Sequence, residues 1–349
     1  MPANFKNKAA TVQWQPFERA SDIGMSGSIN RTTPGVSVVT TARLHMGFFD
    51  LNGGLGRRYG SIGLTLDQPA TELHAWRVAE LSAEGPGATR ALKIAQRLSA
   101  ALGLEGGMHL VLQRIIPEHA GLGSGTQMSL AVGLALSRLY DLDLDLNQVA
   151  QLTGRGARSG IGLGTFAAGG VIVDGGRGVQ TIAPPVIARA DFPEDWRVVL
   201  IFDHAHTGVH GVEEIVAFRN LPEFPADVAA GLCRRVLMQA LPALAEHDLA
   251  AFGAAIGELQ QATGDHFAPA QGGRYASQRV TAALQWLAQR GVTCYGQSSW
   301  GPTGFALFER EADALDRLQG LQAQFAHQTD LQFVLCRGLN RAAQVVEIQ

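Results

Sequence analysis

The sequence predicts an α+β fold in two halves, and three observations carry that prediction. Segments in which apolar and polar side chains alternate every second residue are interleaved with stretches of helical periodicity. A proline-bearing stretch from Ile182 to Glu194, with Pro184, Pro185 and Pro193, separates the two sets. Neither half contains an internal repeat or a low-complexity tract.

The elements follow in order. In VSVVTTARLHMGFF, Leu44, Met46 and Phe48 fall on one strand face and Arg43, His45 and Gly47 on the other, so one side is core and the other is available for chemistry. SIGLTLDQP and TELHAWRV read as two further strands, ATRALKIAQRLSAALGL as an amphipathic helix stopped by Gly103, and MHLVLQRI as another strand. PEHAGLGSGTQMSLAVGLAL is a glycine-studded turn feeding an apolar helix, and a polar turn then leads to a short helix through Gln148 and Leu152. A second glycine-rich segment, GRGARSGIGLGTFAAGGVIVDGG, closes the first half. In the second half WRVVLIFD is a buried strand, two or three helices lie between Ala226 and Gly257, and another helix runs from about Gln278 to Gln289. The turn GQSSWGPTG, the strand FALFE, a helix through Leu318 and a last strand QFVLC complete it.

Composition narrows the function. With 349 residues, 46% hydrophobic and 17% charged, the chain has a sizeable core to bury, and its net charge of −3 gives no electrostatic footprint for nucleic acid or an anionic membrane. Any anion must therefore be held by a local site. Cys233, Cys294 and Cys336 are far apart and form no CxxC pair, which argues against a disulfide framework or a structural zinc and for a reducing cytoplasm. No uninterrupted apolar run approaches membrane-spanning length, and the N-terminus lacks the pattern of a signal peptide. Residues 1–34 read as a poorly ordered extension, within which Met25 is a second candidate for the first residue.

The turn after Pro117 carries the main functional signal. A helix N-terminus offers unpaired amides and the positive end of a dipole, and Gly121, Gly123 and Gly125 let the backbone close on an anion while Ser124 and Thr126 add hydroxyls. It is neither a Walker A loop nor GxGxxG. The plain alternative is a tight turn capping a buried helix.

PEHAGLGSGTQ resembles the PxxxGLGSSAA signature of the GHMP kinase superfamily, and two more segments fall in that superfamily's order: TARLHMGFFDL as the first motif and YGQSSWGPTGFAL as the third. The resemblance spans most of the chain after residue 35. It implies an N-terminal domain like domain 2 of ribosomal protein S5 over residues 35–190, a ferredoxin-like C-terminal domain over 191–349, and a cleft between them.

SGIGLGTFAAGG resembles a segment in which mevalonate-kinase-like members carry an aspartate that assists deprotonation of the substrate hydroxyl; here that position is Gly162. ARLHMGFFDLNGGLGRRYGSIGLTLDQP and GRGARSGIGLGTFAAGGVIVDGG are instead similar to the β-ribofuranosylaminobenzene 5′-phosphate synthases, a non-kinase branch. That resemblance implies condensation of phosphoribosyl pyrophosphate with 4-aminobenzoate or 4-hydroxybenzoate, release of pyrophosphate and carbon dioxide, and a place at the start of tetrahydromethanopterin biosynthesis. The loop then holds a diphosphate leaving group. No nucleotide, flavin or pyridoxal phosphate is expected; Mg2+ is, on the general chemistry of pyrophosphate. A homodimer is the family expectation.

In this reading Arg43 holds a carboxylate or phosphate, Asp50 stabilises or orients the ribose, and His45 either donates to the leaving group or contacts the arene. Arg155, Arg158 and Ser159 suit the 5-phosphate or the pyrophosphate, and Arg57 and Arg58 follow a glycine turn that would close over phosphates. His204, His206 and His210 form an HxHxxxH run without a nearby Cys, so His206 and His210 are assigned to substrate on a mobile loop in preference to zinc. Glu213 and Ser124 are the candidate magnesium ligands, and Ser298, Ser299 and Gly301 complete the phosphate-side wall. Two other readings keep the fold: an ATP-dependent small-molecule kinase, and a non-catalytic sensor of a phosphate ligand.

Overall fold

The computed structural model describes residues 34–208 and 211–348, apart from the side chains of 212–215. The expected N-terminal extension, Met25 and His210 lie outside the described residues, and so does the side chain of Glu213. Residues Pro34–Gln349 form one compact unit.

The first sheet has seven strands: β1 (Gly35–Asp50), β2 (Gly60–Val78), β3 (Ser82–Glu84), β4 (Gly107–Arg114), β5 (Val171–Asp174), β6 (Val186–Ala190) and β11 (Gln344–Ile348). The two strands expected between residues 61 and 78 are one long strand, β2, whose first part pairs with β5 and whose second part pairs with β4. A last strand beyond QFVLC, β11, returns to pair with β1, with Gly35 opposite Ile348, so the end of the chain completes the first sheet. Helices α1 (Ala88–Leu102), α2 (Ser124–Leu139), α3 (Leu146–Thr153) and α4 (Ile161–Ala168) share one core with this sheet. Helix α2 is buried nearly all round, which is why its sequence shows a weak polar face.

The second sheet runs β10 (Leu331–Arg337), β7 (Arg197–Asp203), β9 (Gly304–Phe308), β8 (Tyr295–Gln297), all antiparallel. That order is the ferredoxin-like one. Alternate residues of β7 enter different cores: Val198, Leu200 and Phe202 face the shared interior, while Val199 and Ile201 face α9 (Gln278–Ala288) and α10 (Glu311–Gln324). Burial on both faces explains the unbroken apolar run VVLIF.

Between β7 and β8 in the chain come α5 (Gly211–Asn220), α6 (Ala226–Arg235), a π-helical turn (Val236–Ala240), α7 (Leu241–Glu246) and α8 (Leu249–Gln271). The helical stretch Ala226–Glu246 has the length and mean hydropathy, 1.2, of a membrane span. Arg234 and Arg235 sit at its middle, and Leu232, Val236, Ala240, Ala243 and Leu244 join the shared core, while Leu237 and Met238 are exposed. Ala42, Leu44, Met46, Ile62 and Leu64 of the first sheet meet Leu200, Phe305 and Leu307 of the second in that core.

Candidate active site

The three glycine-rich motifs meet at one carbonyl. Gly121 O accepts from Arg43 Nη1 at 2.5 Å and from Ser298 Oγ at 2.8 Å, and Ser298 Oγ in turn accepts from the His45 amide at 3.0 Å. The Ser299 amide donates to His45 O at 3.0 Å. First-motif strand, loop and third-motif turn are thus tied by backbone and hydroxyl bonds. Gly121 must be glycine, because it sits at φ +75° and an added β-carbon would fall 2.3 Å from Ser298 O. Ser298 is therefore a joint between motifs, Ser299 lines a small cavity beside His45, and Gly301 N closes back on Ser298 O.

Gly123, at φ +81°, caps α2, so the Ser124, Gly125 and Thr126 amides form the first turn of that helix. Guanidinium groups surround it. Arg43 lies against Gly123, with a β-carbon there meeting the side chain at 3.1 Å, and at Gly125 one would fall 2.4 Å from Arg90 Nη2 and 3.2 Å from Arg155 Cζ. Arg97 lies behind them, near Gly154. Burial first, then the charges of Arg90 and Arg97, pull the Arg155 pKa downward, as expected where cations crowd without a matching anion. Arg155 Nε is buried without a hydrogen-bond partner, whereas Arg90 pairs with Glu118 at 3.0 Å. Arg90 and Arg97 were missed in the sequence because, seven residues apart on an amphipathic helix, they read as a solvated face. That two-turn spacing, which puts both on one stripe of α1, is the signal that would have found them.

Gly162 sits at the start of α4 against the loop, where an added β-carbon would be 2.8 Å from Thr126 Cγ2. Gln127, fully buried, donates to Gly162 O at 2.9 Å and fixes that approach. Downstream, at the end of β5, Asp174 is fully buried and accepts from Ser61 Oγ at 2.5 Å, Ser159 Oγ at 3.0 Å, Gly160 N at 2.9 Å and Gly176 N at 2.9 Å. Burial raises its pKa to about 6 against the pull of these donors. Ser159 therefore anchors the segment that carries Arg155 and Arg158, through a carboxylate the sequence reading did not single out.

A second feature opens beside the first motif: a cleft of about 660 Å³ lined by Leu51, Arg58, Tyr59, Arg158, Arg177, Phe218, Arg219 and neighbouring residues of the 221–224 segment. Four arginines and several rings line it. Asp50 stands next to this cleft in sequence, with Oδ1 accepting from the Asn52 and Gly53 amides at 2.9 and 3.3 Å. Arg57 is tied to the Gly175 and Gly176 carbonyls. His45 is 3% exposed, so its side of the strand is buried as well as the apolar face. Both its ring nitrogens lack a hydrogen-bond partner, and burial, then Arg43, lowers its pKa to about 3, leaving a neutral imidazole. It packs on Phe48 at 4.5 Å.

The histidine run divides. His204 Nε2 meets Gln332 Oε1 at 2.9 Å, away from the loop, and His206 is exposed. Among the described residues no three His, Cys, Asp or Glu side chains gather as a metal site.

Comparison with known proteins bears on the family and the fold. The GHMP kinases N terminal domain model matches residues 89–170 and the GHMP kinases C terminal model residues 240–327. The chain is 33% identical to a beta-ribofuranosylphenol 5′-phosphate synthase of Archaeoglobus fulgidus over 88% of its own length and 98% of that protein's. A protein of the same name from Methanocaldococcus jannaschii is 34% identical over 64% of this chain and 76% of the relative. The structure of homoserine kinase from Cytophaga hutchinsonii superposes with a TM-score of 0.59 over 93% of this chain and 100% of that one, at 16% identity, a likeness of fold.

Proposed function

Because the chain belongs to the GHMP kinase family and is an enzyme of the β-ribofuranosylphenol 5′-phosphate synthase type, we propose that it joins phosphoribosyl pyrophosphate to 4-hydroxybenzoate or 4-aminobenzoate with loss of pyrophosphate and carbon dioxide. The observation that carries this reading is the cationic cradle over a helix N-terminus whose neighbouring kinase-aspartate position is Gly162, packed against Thr126. Such a site favours a departing diphosphate and provides no carboxylate at that position to receive a hydroxyl proton.

The chemistry follows from charge. As the bond from ribose C1 to pyrophosphate breaks, its electron pair leaves with the diphosphate, and Arg43, Arg90, Arg155 and the α2 amides stabilise that charge. The ring carbon bearing the carboxylate bonds to C1. Carbon dioxide then departs, returning the electron pair of its bond to the ring and restoring aromaticity, so no base is required at that carbon. Arg58, Arg158, Arg177 and Arg219 suit the two remaining anions, the ribose 5-phosphate and the arene carboxylate.

Ser124 Oγ would be the protein oxygen to hold a magnesium ion in the loop, where the ion would help neutralise the donor's pyrophosphate; the surrounding guanidinium groups disfavour a bare cation. The work of the protein here is to bind and orient. The test is pyrophosphate release from phosphoribosyl pyrophosphate and magnesium with and without the aromatic acid. The reading predicts release that depends on the acid; release of ADP from ATP with small alcohols, and none here, would replace it with the kinase reading.

A further inference from the structure

The ring of Phe218 is held as a ligand would be. Tyr59, Phe267, Trp300 and Phe48 surround it with centroids at 5.6, 5.5, 5.4 and 6.2 Å, and all four meet it edge-to-face at 81–89°. The Arg158 guanidinium carbon lies 4.9 Å from the ring centroid, and the arginine-lined cleft ends on this ring. The other walls come from β1, the turn before β2, α8 and the third-motif turn, all parts of the rigid core. Phe218 alone comes from α5. Of the side chains of α5 that the structure describes, Ala217 and Phe218 touch the shared core and Val216 is exposed.

A box of core rings filled by one half-buried ring from a separate helix has the form of a site with an exchangeable occupant. We propose that the box of Phe48, Tyr59, Phe267 and Trp300 is the binding site for the benzoate ring of the acceptor, and that Phe218 occupies it until the acceptor displaces it. The proposal rests on the synthase reading. A 4-substituted benzoate has a ring of the same size, and its carboxylate would face Arg158 and the arginines of the cleft. The buried Trp300 Nε1–H has no acceptor among the described residues.

Calorimetric titration of 4-hydroxybenzoate and 4-aminobenzoate into the full chain, with magnesium pyrophosphate present to fill the loop, tests this. Removing the competing ring in Phe218→Ala is expected to tighten acceptor binding about threefold to tenfold, matching the loss of edge-to-face contacts that displacement must break. Acceptor KM falls in parallel, while the KM for phosphoribosyl pyrophosphate stays within about twofold. Unchanged or weaker acceptor binding by the folded variant overturns the proposal and makes Phe218 a fixed wall. Should Phe218→Ala not fold, Phe218→Leu is read the same way. In the wild-type protein, amide hydrogen exchange in α5 is expected to rise when acceptor binds, and an unchanged or lower rate also overturns it. Failure of the wild-type protein to bind or turn over either acid defeats the synthase reading itself, whereas turnover without these Phe218 effects defeats only the displacement.

Discussion

A β-carbon placed on Gly162 would lie 2.8 Å from Thr126 Cγ2, so the glycine-rich loop takes up the space that a side chain at position 162 would need. The contact is closer than real β-carbons tolerate, and both residues are held, Gly162 by the Gln127 bond to its carbonyl and Thr126 by the first turn of α2. The lack of a side chain at position 162 is thus built into the packing.

This makes the pair testable as a pair. Gly162→Ala should lower stability by about 1–3 kcal/mol, the usual cost of overpacking, and should reduce turnover. Thr126→Ser keeps the hydroxyl and removes Cγ2, so the double variant should recover most of the loss in both Tm and kcat. Equal losses in the single and double variants would show that Thr126 is not the obstacle.

The guanidinium cradle predicts a KM split. Arg90→Ala and Arg155→Ala should each raise the KM for phosphoribosyl pyrophosphate about tenfold or more, as expected for one charge-assisted contact. The acceptor KM should stay nearly constant. Steady-state kinetics with each substrate varied in turn checks this, and rising ionic strength should weaken donor binding in the wild-type protein more than in either variant.

Gly125→Val places a side chain against Arg90 Nη2 at 2.4 Å and Arg155 Cζ at 3.2 Å, both flexible ends. The fold should survive, with Tm changed by a few degrees, while kcat/KM for the donor falls by about a hundredfold or more through loss of the oriented amides and guanidiniums. Full activity in a folded Gly125→Val protein would remove the loop from the site.

Two buried groups set opposite pH dependences of stability. His45, with its pKa lowered to about 3 from 6.5, stays neutral while the unfolded chain takes up a proton, so it costs stability as pH falls from about 6.5 towards 3. Asp174, raised from 3.8 to about 6, stays protonated while the unfolded chain ionises, so it costs stability as pH rises from about 4 to 6. Between pH 4 and 6 the two slopes, each up to ~1.4 kcal/mol per pH unit, oppose one another. Urea denaturation across that range should show a steeper loss on acidification in Asp174→Asn than in wild type. His45→Gln should show the reverse.

The motifs were legible because their chemistry is local: glycines at fixed spacing around a helix start, and Arg43 and His45 on one strand face. The ferredoxin-like order of the second sheet was implied by the family resemblance, while periodicity alone gave its strands and helices. What the sequence concealed depends on distant segments meeting. Arg90 and Arg97 sit on a helix whose polar stripe looks solvated until α2 is placed beside it, and the aromatic box draws Phe48, Tyr59, Phe218, Phe267 and Trp300 from segments far apart in the chain. Asp174 ends a short apolar strand and looks like a turn residue, although four donors converge on it. β11 escaped notice because its partner, β1, lies at the opposite end of the chain.

The central claim is carbon–carbon bond formation driven by loss of pyrophosphate and completed by decarboxylation. Its most direct test is release of labelled carbon dioxide from carboxyl-labelled 4-hydroxybenzoate and 4-aminobenzoate, with magnesium and with or without phosphoribosyl pyrophosphate. The account predicts release from at least one acid that requires phosphoribosyl pyrophosphate and is abolished in Gly125→Val. Absence of release from both acids by the folded wild-type protein would contradict it.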